Sequence, residues 1–302
     1  MLRVAYLTGA HWREGPVPEG ALPRPEAEDF ALLEPVARDR GVAFEIVRWD
    51  APDIAARGFD AAVVRSTWDY ADRVDEFLTR LEAMERAGLR VFNSAAAVRW
   101  NARKIYLEDL ALLGAPTIPT VWAETSSVDA VLRAFDTFEA AEIVLKPQLG
   151  AGSRDTIRLK RNAWSASDLA LAPRDAVMVQ PFLPSIQTAG ELSLFYFGGR
   201  PAHAIRKRPA GGNWLANVDG AQFARGEASA AERAAADAVM AVVPHELLYA
   251  RVDLVEGADG SPRLIELEAI EPYLFFAFAP EGAALFAEAV RAAVEGKPVL
   301  SP

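Results

Sequence analysis

Two apolar runs near the C-terminus, LLYARVDLVE (247–256) and RLIELEAIE (263–271), are separated by the turn GADGSP and carry Asp253, Glu266 and Glu268. Residues two apart on a strand share a face, so Glu266 and Glu268 are co-facial, and antiparallel pairing across the turn can set Asp253 opposite them. Three carboxylates on one sheet face repel one another unless a hard cation lies between them. Oxygen donors at that density suit Mg²⁺ shared with substrate phosphates. A solvated acidic strand face is the plainer alternative, but Leu264, Leu267, Val252 and Leu254 make these strands look buried. Arg251, two residues before Asp253, shares its face and offers a bidentate clamp for a phosphate.

A second group lies in IVLKPQLGAGS (143–153). Lys146 ends a strand, and Gly150 and Gly152 in the following loop let backbone amides approach phosphate oxygens. No Gly-Lys-Ser/Thr follows, so this is not a Walker A loop, and LTGAHWREG after the first strand lacks the spaced glycines of a dinucleotide-binding turn. Lys104, on a helix expected to run from 95 to Gly114, could add a second charge. A third group is AIRKRPAGG (204–212) with Asn217. Arg206 and Lys207 alternate faces, so one should meet the carboxylates or the ligand and the other solvent; an ordinary charged strand end would read the same way. RSTWDY (65–70) offers Arg65 to a substrate carboxylate and Ser66, Thr67, Asp69 and Tyr70 as polar contacts. Alternatively, Trp68 and Tyr70 simply pack on the helix near 73–87. His203 and His245 have no partner pattern.

The elements that must position these residues alternate at first. Strands at 4–8, 44–49, 59–66 and 90–93 with helices near 28–40 and 73–87 imply a parallel sheet covered on both faces, with ligands beyond the carboxyl ends of its strands. After residue 95 the pattern changes. A helix near 127–138 leads to a hairpin through 142–160, a strand at 176–184, two strands joined at Gly198-Gly199, a helix near 228–243, the acidic strand pair, and a last helix at about 280–295. The fold class is α/β with α+β lobes.

The chain has 302 residues, 51% hydrophobic and 25% charged, with net charge −10. That composition is globular and long enough for two or three lobes, and it lacks the basic domain of a nucleic-acid binder. The absence of cysteine excludes disulfides and thiolate chemistry and fits a cytoplasmic protein. No stretch reaches the ~20 apolar residues of a membrane span.

The order of motifs resembles the ATP-grasp enzymes, in their bacterial glutathione synthetase-like branch. It runs through Arg65, Asn93-Ser94, Lys104, VLKPQLGAGS, MVQPFLP (178–184), GELSL (190–194), the Arg206/Gly211-Gly212/Asn217 stretch, RVD and IELEAIEP. RSTWDY, ELSLFYFGG and IELEAIEP look most like the D-cycloserine synthetase group, which closes O-ureido-D-serine into a ring. The resemblance implies an N-terminal pre-ATP-grasp domain over 1–94 and an ATP-grasp domain over 95–302. The small lobe of the latter would be about 115–185 and the large lobe 95–114 plus 186–302. It implies ATP and Mg²⁺ as cofactors. Lys104 and Lys146 would hold phosphates, Gln180, Phe182 and Leu183 the adenine, and Glu191 the ribose or an adjacent group. Asp253, Glu266 and Glu268 would ligate Mg²⁺, while Arg251, with Lys146 and Arg206, would serve the transferring phosphoryl group. An amino-acid-like carboxylate would become an acyl phosphate, attacked by nitrogen of the same or another molecule; a non-catalytic ATP-binding module is the alternative from another class. Relatives are often dimers or tetramers, so a homo-oligomer is open. The pattern departs from the family at Ser153, where a third loop glycine is usual, and at Glu268, where Asn is usual. Ser193 and Leu215 stand where glutathione synthetases carry Arg.

Overall fold

The computed structural model describes residues 1–12, 25–150, 152, 154–216 and 220–297. Its first half-unit runs β1 (Leu2–Thr8), α1 (Pro25–Asp39), β2 (Val42–Arg48), β3 (Ala61–Ser66), α2 (Val74–Arg86) and β4 (Val91–Phe92). The sheet is parallel, ordered β2-β1-β3-β4. Alternation along β1 separates its two faces. Val4 and Tyr6 join the apolar cluster that includes Leu33 and Ala37 of α1, while Ala5 and Leu7 join the one that includes Phe77 and Leu81 of α2.

Next come α3 (Ala95–Asn101) and α4 (Tyr106–Leu112), then β5 (Val121–Ala123), α5 (Val128–Phe138), β6 (Glu142–Pro147), β7 (Ile157–Lys160) and β8 (Val177–Pro181). The four strands form an antiparallel sheet ordered β5-β8-β6-β7, with α5 packed on it. The single helix expected around Lys104 is therefore two helices. Residues 102–105 leave the helix because the Lys104 N–H donates to Gln148 O at 2.7 Å, a long-range bond that no local glycine or proline announces.

The remainder is a short helix α6 (Ser185–Thr188), β9 (Glu191–Phe197), β10 (Arg200–Arg208), β11 (Gln222–Arg225), α7 (Ala230–Ala241), β12 (Tyr249–Glu256), β13 (Pro262–Glu268) and α8 (Glu281–Val294). Its five-stranded antiparallel sheet is ordered β11-β10-β9-β12-β13. Gly198 and Gly199, at φ 57 and 73, make the tight turn between β9 and β10. The last helix returns to the first sheet, packing α8 on α1 and β2 as well as on β9 and β10. Among the described residues no helix is long and apolar enough to cross a membrane.

β13 is an edge strand whose outward backbone groups are met by side chains along Leu267–Ala269 and by a short backbone bridge to residues 116–118 at Leu264. Asn101 Nδ2 donates to Leu267 O (2.8 Å), and its Oδ1 accepts the Ala269 N–H (2.9 Å). Tyr106 Oη both donates to Leu267 O (2.9 Å) and accepts the Leu267 N–H (2.8 Å). Further along, Leu264 N donates to Pro116 O at 2.7 Å. Asn93, at the end of the first sheet, ties the two units together. Its Nδ2 donates to Tyr249 O (2.9 Å) and Ala269 O (2.7 Å), and its Oδ1 accepts the Leu248 N–H (2.6 Å). Because Asn93 is buried, Asn93→Ala leaves three backbone groups without partners and should cost about 2–4 kcal/mol, by the penalty for unmatched buried polar groups. Urea unfolding monitored by fluorescence checks this; a change under half a kcal/mol would show that the bridge contributes nothing.

Candidate active site

The charged side chains of the five-stranded sheet are placed by register. β12 faces β13 with Arg251 opposite Glu268 and Asp253 opposite Glu266, and the register then shifts so that Leu254 meets Leu264. That bulge leaves Ile265 and Glu266 both on the cavity wall, while Leu264 and Leu267 enter the core. On the other side of β12, Asp253 pairs with Ser193 of β9, and β9 in turn sets Glu191 opposite Lys207 of β10.

Asp253 is fully matched. It accepts from Ser193 Oγ at 2.6 Å, from Arg251 Nε and Nη2 at 2.9 and 2.8 Å, and from Lys207 Nζ at 3.2 Å. Burial opposes its charge, but Arg251 and Lys207 outweigh that and hold its carboxyl well below the usual range. Arg251 also reaches Glu268, and Lys207 also contacts Glu191. Lys104 Nζ lies 2.8 Å from Glu266 and donates to Gly150 O at 2.9 Å. Burial works against the Glu266 charge, yet Lys104 keeps the group on the acidic side of its ordinary value. Lys146 Nζ donates to Gln180 Oε1 at 3.1 Å, and burial lowers its ammonium. Burial pushes Glu268 up to about 7 despite Arg251.

Lys104, Lys146, Glu191, Arg251, Glu266 and Glu268 line one cavity of about 1190 Å³ between the sheets, with Asp253, Ser193 and Lys207 buried behind them. At one end Phe182, Leu183, Ile186 and Trp214 join Ile118 and Val144 in an apolar slot. Arg158 stacks on the Phe182 ring at 3.4 Å and is itself tied to Glu142 at 2.5 Å. Gly150 and Gly152 of the β6–β7 loop, Lys104, Lys146, Gln180 and Glu191 stand around the middle. The acidic set is a hard-oxygen site by its chemistry, with oxygen atoms of Asp253, Glu266 and Glu268 within 4.8 Å of one another. Burial first, and then the neighbouring Glu266 and Asp253 carboxylates, raise Glu268 against the pull of Arg251, and three carboxylates this close together suit a divalent cation.

Several of the residues singled out in the sequence lie off the cavity wall. Arg206 turns to the opposite face and pairs with Glu232 of α7 at 2.8 Å; Lys207, fully buried, is the member that meets the carboxylates. Arg65 is buried away from the cavity wall, with Nη2 donating to Pro272 O at 2.6 Å and its guanidinium 4.8 Å from the Tyr249 ring centroid. Asp69 accepts from Ala10 N (3.0 Å) and Trp49 Nε1 (3.0 Å), closing the turn after β1. Ser66 and Thr67 are buried at the end of β3. Of RSTWDY, only Trp68 and Tyr70 line the cavity, and Tyr70 also packs on Phe77 at 5.4 Å. Ser153 and Asn217 lie outside the described residues. Sequence reasoning left Lys207 undecided and missed Trp214 and Glu271. The strand alternation carried the first, and nothing local carried the others.

The sequence model for the ATP-grasp domain of prokaryotic glutathione synthetase matches residues 105–271, more than half of the chain. The chain belongs to the ATP-grasp family. The model for the N-terminal domain of D-cycloserine synthetase DcsG matches residues 4–93. This ATP-grasp chain is 36% identical to the cycloserine biosynthesis protein DcsG of Streptomyces lavendulae over 87% of its own length and 92% of that protein. It is 30% identical to the glutathione synthetase of Parasynechococcus marenigrum over 76% and 73% of the two chains. The crystal structure of D-cycloserine synthetase DcsG superposes with a TM-score of 0.82 and 33% identity, covering 97% of this chain and 99% of that one. The D-alanine–D-alanine ligase of Bacillus anthracis, at 14% identity and TM-score 0.64 over 98% and 97%, shares the fold. The protein is an ATP-dependent carbon–nitrogen ligase.

Lys207→Met would leave Glu191 and Asp253 buried near one another with one cation fewer. The loss should be about 3–5 kcal/mol, as for breaking a buried ion pair, read as a lowered melting temperature in calorimetry. Arg206→Met, in the partly buried pair with Glu232, should cost about 1 kcal/mol, the upper end for a pair still reached by water.

Proposed function

We propose that this ligase activates the carboxylate of a small amino-acid-like molecule as an acyl phosphate and closes it intramolecularly, with O-ureido-D-serine as substrate and D-cycloserine as product. The observation that carries this reading is the similarity to DcsG across both units of the chain, including the N-terminal one whose Trp68 and Tyr70 wall the cavity. Ser193 supports it further: it hands its hydroxyl to Asp253 instead of presenting a cation to a second carboxylate of the substrate.

ATP would lie with its base in the slot of Phe182, Leu183 and Trp214 and its phosphates along Lys146, Lys104 and the Gly150–Gly152 loop. Glu266 and Glu268, backed by Asp253, would hold Mg²⁺, which when bound offsets the phosphate charge. A carboxylate oxygen of the substrate attacks the γ-phosphorus and ADP departs. Arg251, pinned on both sides by Asp253 and Glu268, stands ready to stabilise charge on the transferring group. The nitrogen bonded to the side-chain oxygen of the same molecule then attacks the acyl carbon and phosphate leaves; water cleaves the carbamoyl group from that nitrogen, which departs as carbon dioxide and ammonia and leaves cycloserine. No protein nucleophile is needed, since positioning and charge neutralisation carry the rate. Joining of the nitrogen within one molecule raises its effective concentration.

Intermolecular ligation is the second reading, favoured by the cavity volume and the glutathione synthetase likeness. A non-catalytic module is disfavoured by the full set of lysines, arginine and carboxylates around one cavity. ADP release that requires O-ureido-D-serine alone and yields cycloserine supports cyclisation; ADP release only after a second amine is added sinks it. Calorimetry with Mg²⁺ and a non-hydrolysable ATP analogue should show metal-dependent nucleotide binding. Glu268→Gln should weaken the Mg²⁺ dependence by about tenfold, because removing one ligand charge lowers affinity for a hard cation. Nucleotide binding indifferent to Mg²⁺ would refute the metal assignment.

A further inference from the structure

Beyond Glu268 the cavity continues toward the first sheet, where Glu28, Trp68, Tyr70, Glu271, Tyr273 and Phe275 form its wall. The segment bearing Glu271 is fixed from three sides. Trp68 Nε1 donates to Glu271 O at 3.2 Å, and Arg65 Nη2 donates to Pro272 O. Asp29 of α1 accepts the N–H groups of Leu274 (2.7 Å) and Phe276 (2.9 Å), and Phe275 between them takes φ 57. A backbone clamped in this way holds the Glu271 side chain at a set place on the wall.

The Glu271 carboxylate has no hydrogen-bond donor and no ion-pair partner among the described residues. The charges that face it are Glu268 and Glu266, which repel it, and Lys104 and Arg65, which attract it. Lys104 is committed to Glu266 and Gly150 O; Arg65 gives Nη2 to Pro272 O and lies over the Tyr249 ring, and its buried Nε and Nη1 make no bond to Glu271 or to any other group among the described residues. Burial and then Glu268 push its carboxyl up to about 8. A positioned carboxylate short of a counter-charge, in a partly apolar cavity next to two more carboxylates, is complementary to a small cation that enters with the ligand. An amino-acid-like substrate brings such a cation two bonds from the carboxylate to be phosphorylated.

We propose that Glu271 recognises the ammonium group of the substrate and thereby presents the neighbouring carboxylate to the Glu266–Glu268 end of the cavity. It is a specificity-determining residue: the enzyme takes carboxylates that carry an adjacent ammonium and rejects those that do not. The assignment rests on the reading of the substrate as an amino-acid-like carboxylate, but not on which one.

The test compares wild type and Glu271→Gln by ADP release on matched pairs. O-ureido-D-serine, O-ureido-L-serine and D-alanine are each set against the acid lacking the amino group. Wild type should prefer the ammonium-bearing member. Glu271→Gln should raise its KM about 10- to 100-fold, the range for a hydrogen bond between charged groups, while leaving the deamino acids unchanged; Glu271→Asp should recover part of the preference. Wild-type indifference to the ammonium, or an equal loss on both members in a variant that melts like wild type, overturns the proposal. If O-ureido-D-serine is inert but another pair keeps the Glu271-dependent preference, the cyclisation reading falls and this one stands. If no pair turns over, equilibrium binding of the same pairs with Mg²⁺ and a non-hydrolysable ATP analogue decides. Ammonium-dependent binding lost in Glu271→Gln supports the assignment, and its absence in wild type overturns it. Should the Gln variant not fold, the Asp variant supplies the comparison.

Discussion

Asp253 is a carboxylate with almost no access to water, and such a group is tolerated only when its lone pairs are matched by donors and its charge by cations. Three neighbouring strand positions supply them: Arg251 from β12, Ser193 from β9 and Lys207 from β10. Each donor is itself committed, Arg251 to Glu268 and Lys207 to Glu191, so charges alternate in sign across the sheet. A one-residue slip of β12 would turn Asp253 and Arg251 into the core and unmatch them together. The register of this sheet is therefore specified by charge as well as by the apolar residues on its other face.

The site grows outward from that lattice. Glu266 and Glu268 stand on an edge strand, and an edge strand alone would leave them loosely placed. Asn101 and Tyr106, flanking the break between α3 and α4, bond the free backbone of Leu267 and Ala269 instead. The same break carries Lys104 into the cleft, so one local departure from helix both braces the carboxylates and supplies a cation to Glu266. Asn93 and Arg65 then bind the first sheet to the strands and loop of the second unit. A cavity at such a junction has walls from every unit, which is where a ligase must bring nucleotide and acceptor together.

Much of this was legible in the chain. The apolar runs, their spacing and the Gly198-Gly199 turn give four strands of the five-stranded sheet, β9, β10, β12 and β13, to within a few residues, because side-chain alternation and left-handed backbone are local properties. Lys104, Lys146, Arg251, Glu266 and Glu268 stood out as polar residues inside or beside apolar runs, and the structure brings them to one cavity. The helix break at 102–105 was not legible, since its cause is a bond to Gln148 more than forty residues away. Two short edge strands, β5 and β11, were also not visible, as three or four residues carry too little pattern. RSTWDY misled for a related reason. Arg65 and Asp69 have the chemistry of ligand contacts, yet their partners are a proline carbonyl from the far end of the chain and the turn after β1.

By itself the sequence determined the class of the protein and the types of group its chemistry would use, because apolar periodicity, strand alternation and motif order are written in neighbouring residues. Only the tertiary structure decided between Arg206 and Lys207, withdrew Arg65 and Asp69 from the cavity, and put Glu271 on its wall. Those outcomes depend on strand register and on bonds between residues as far apart as Asp29 and Phe276. A polar side chain advertises what it can bind, but which partner it meets is settled by the fold that surrounds it.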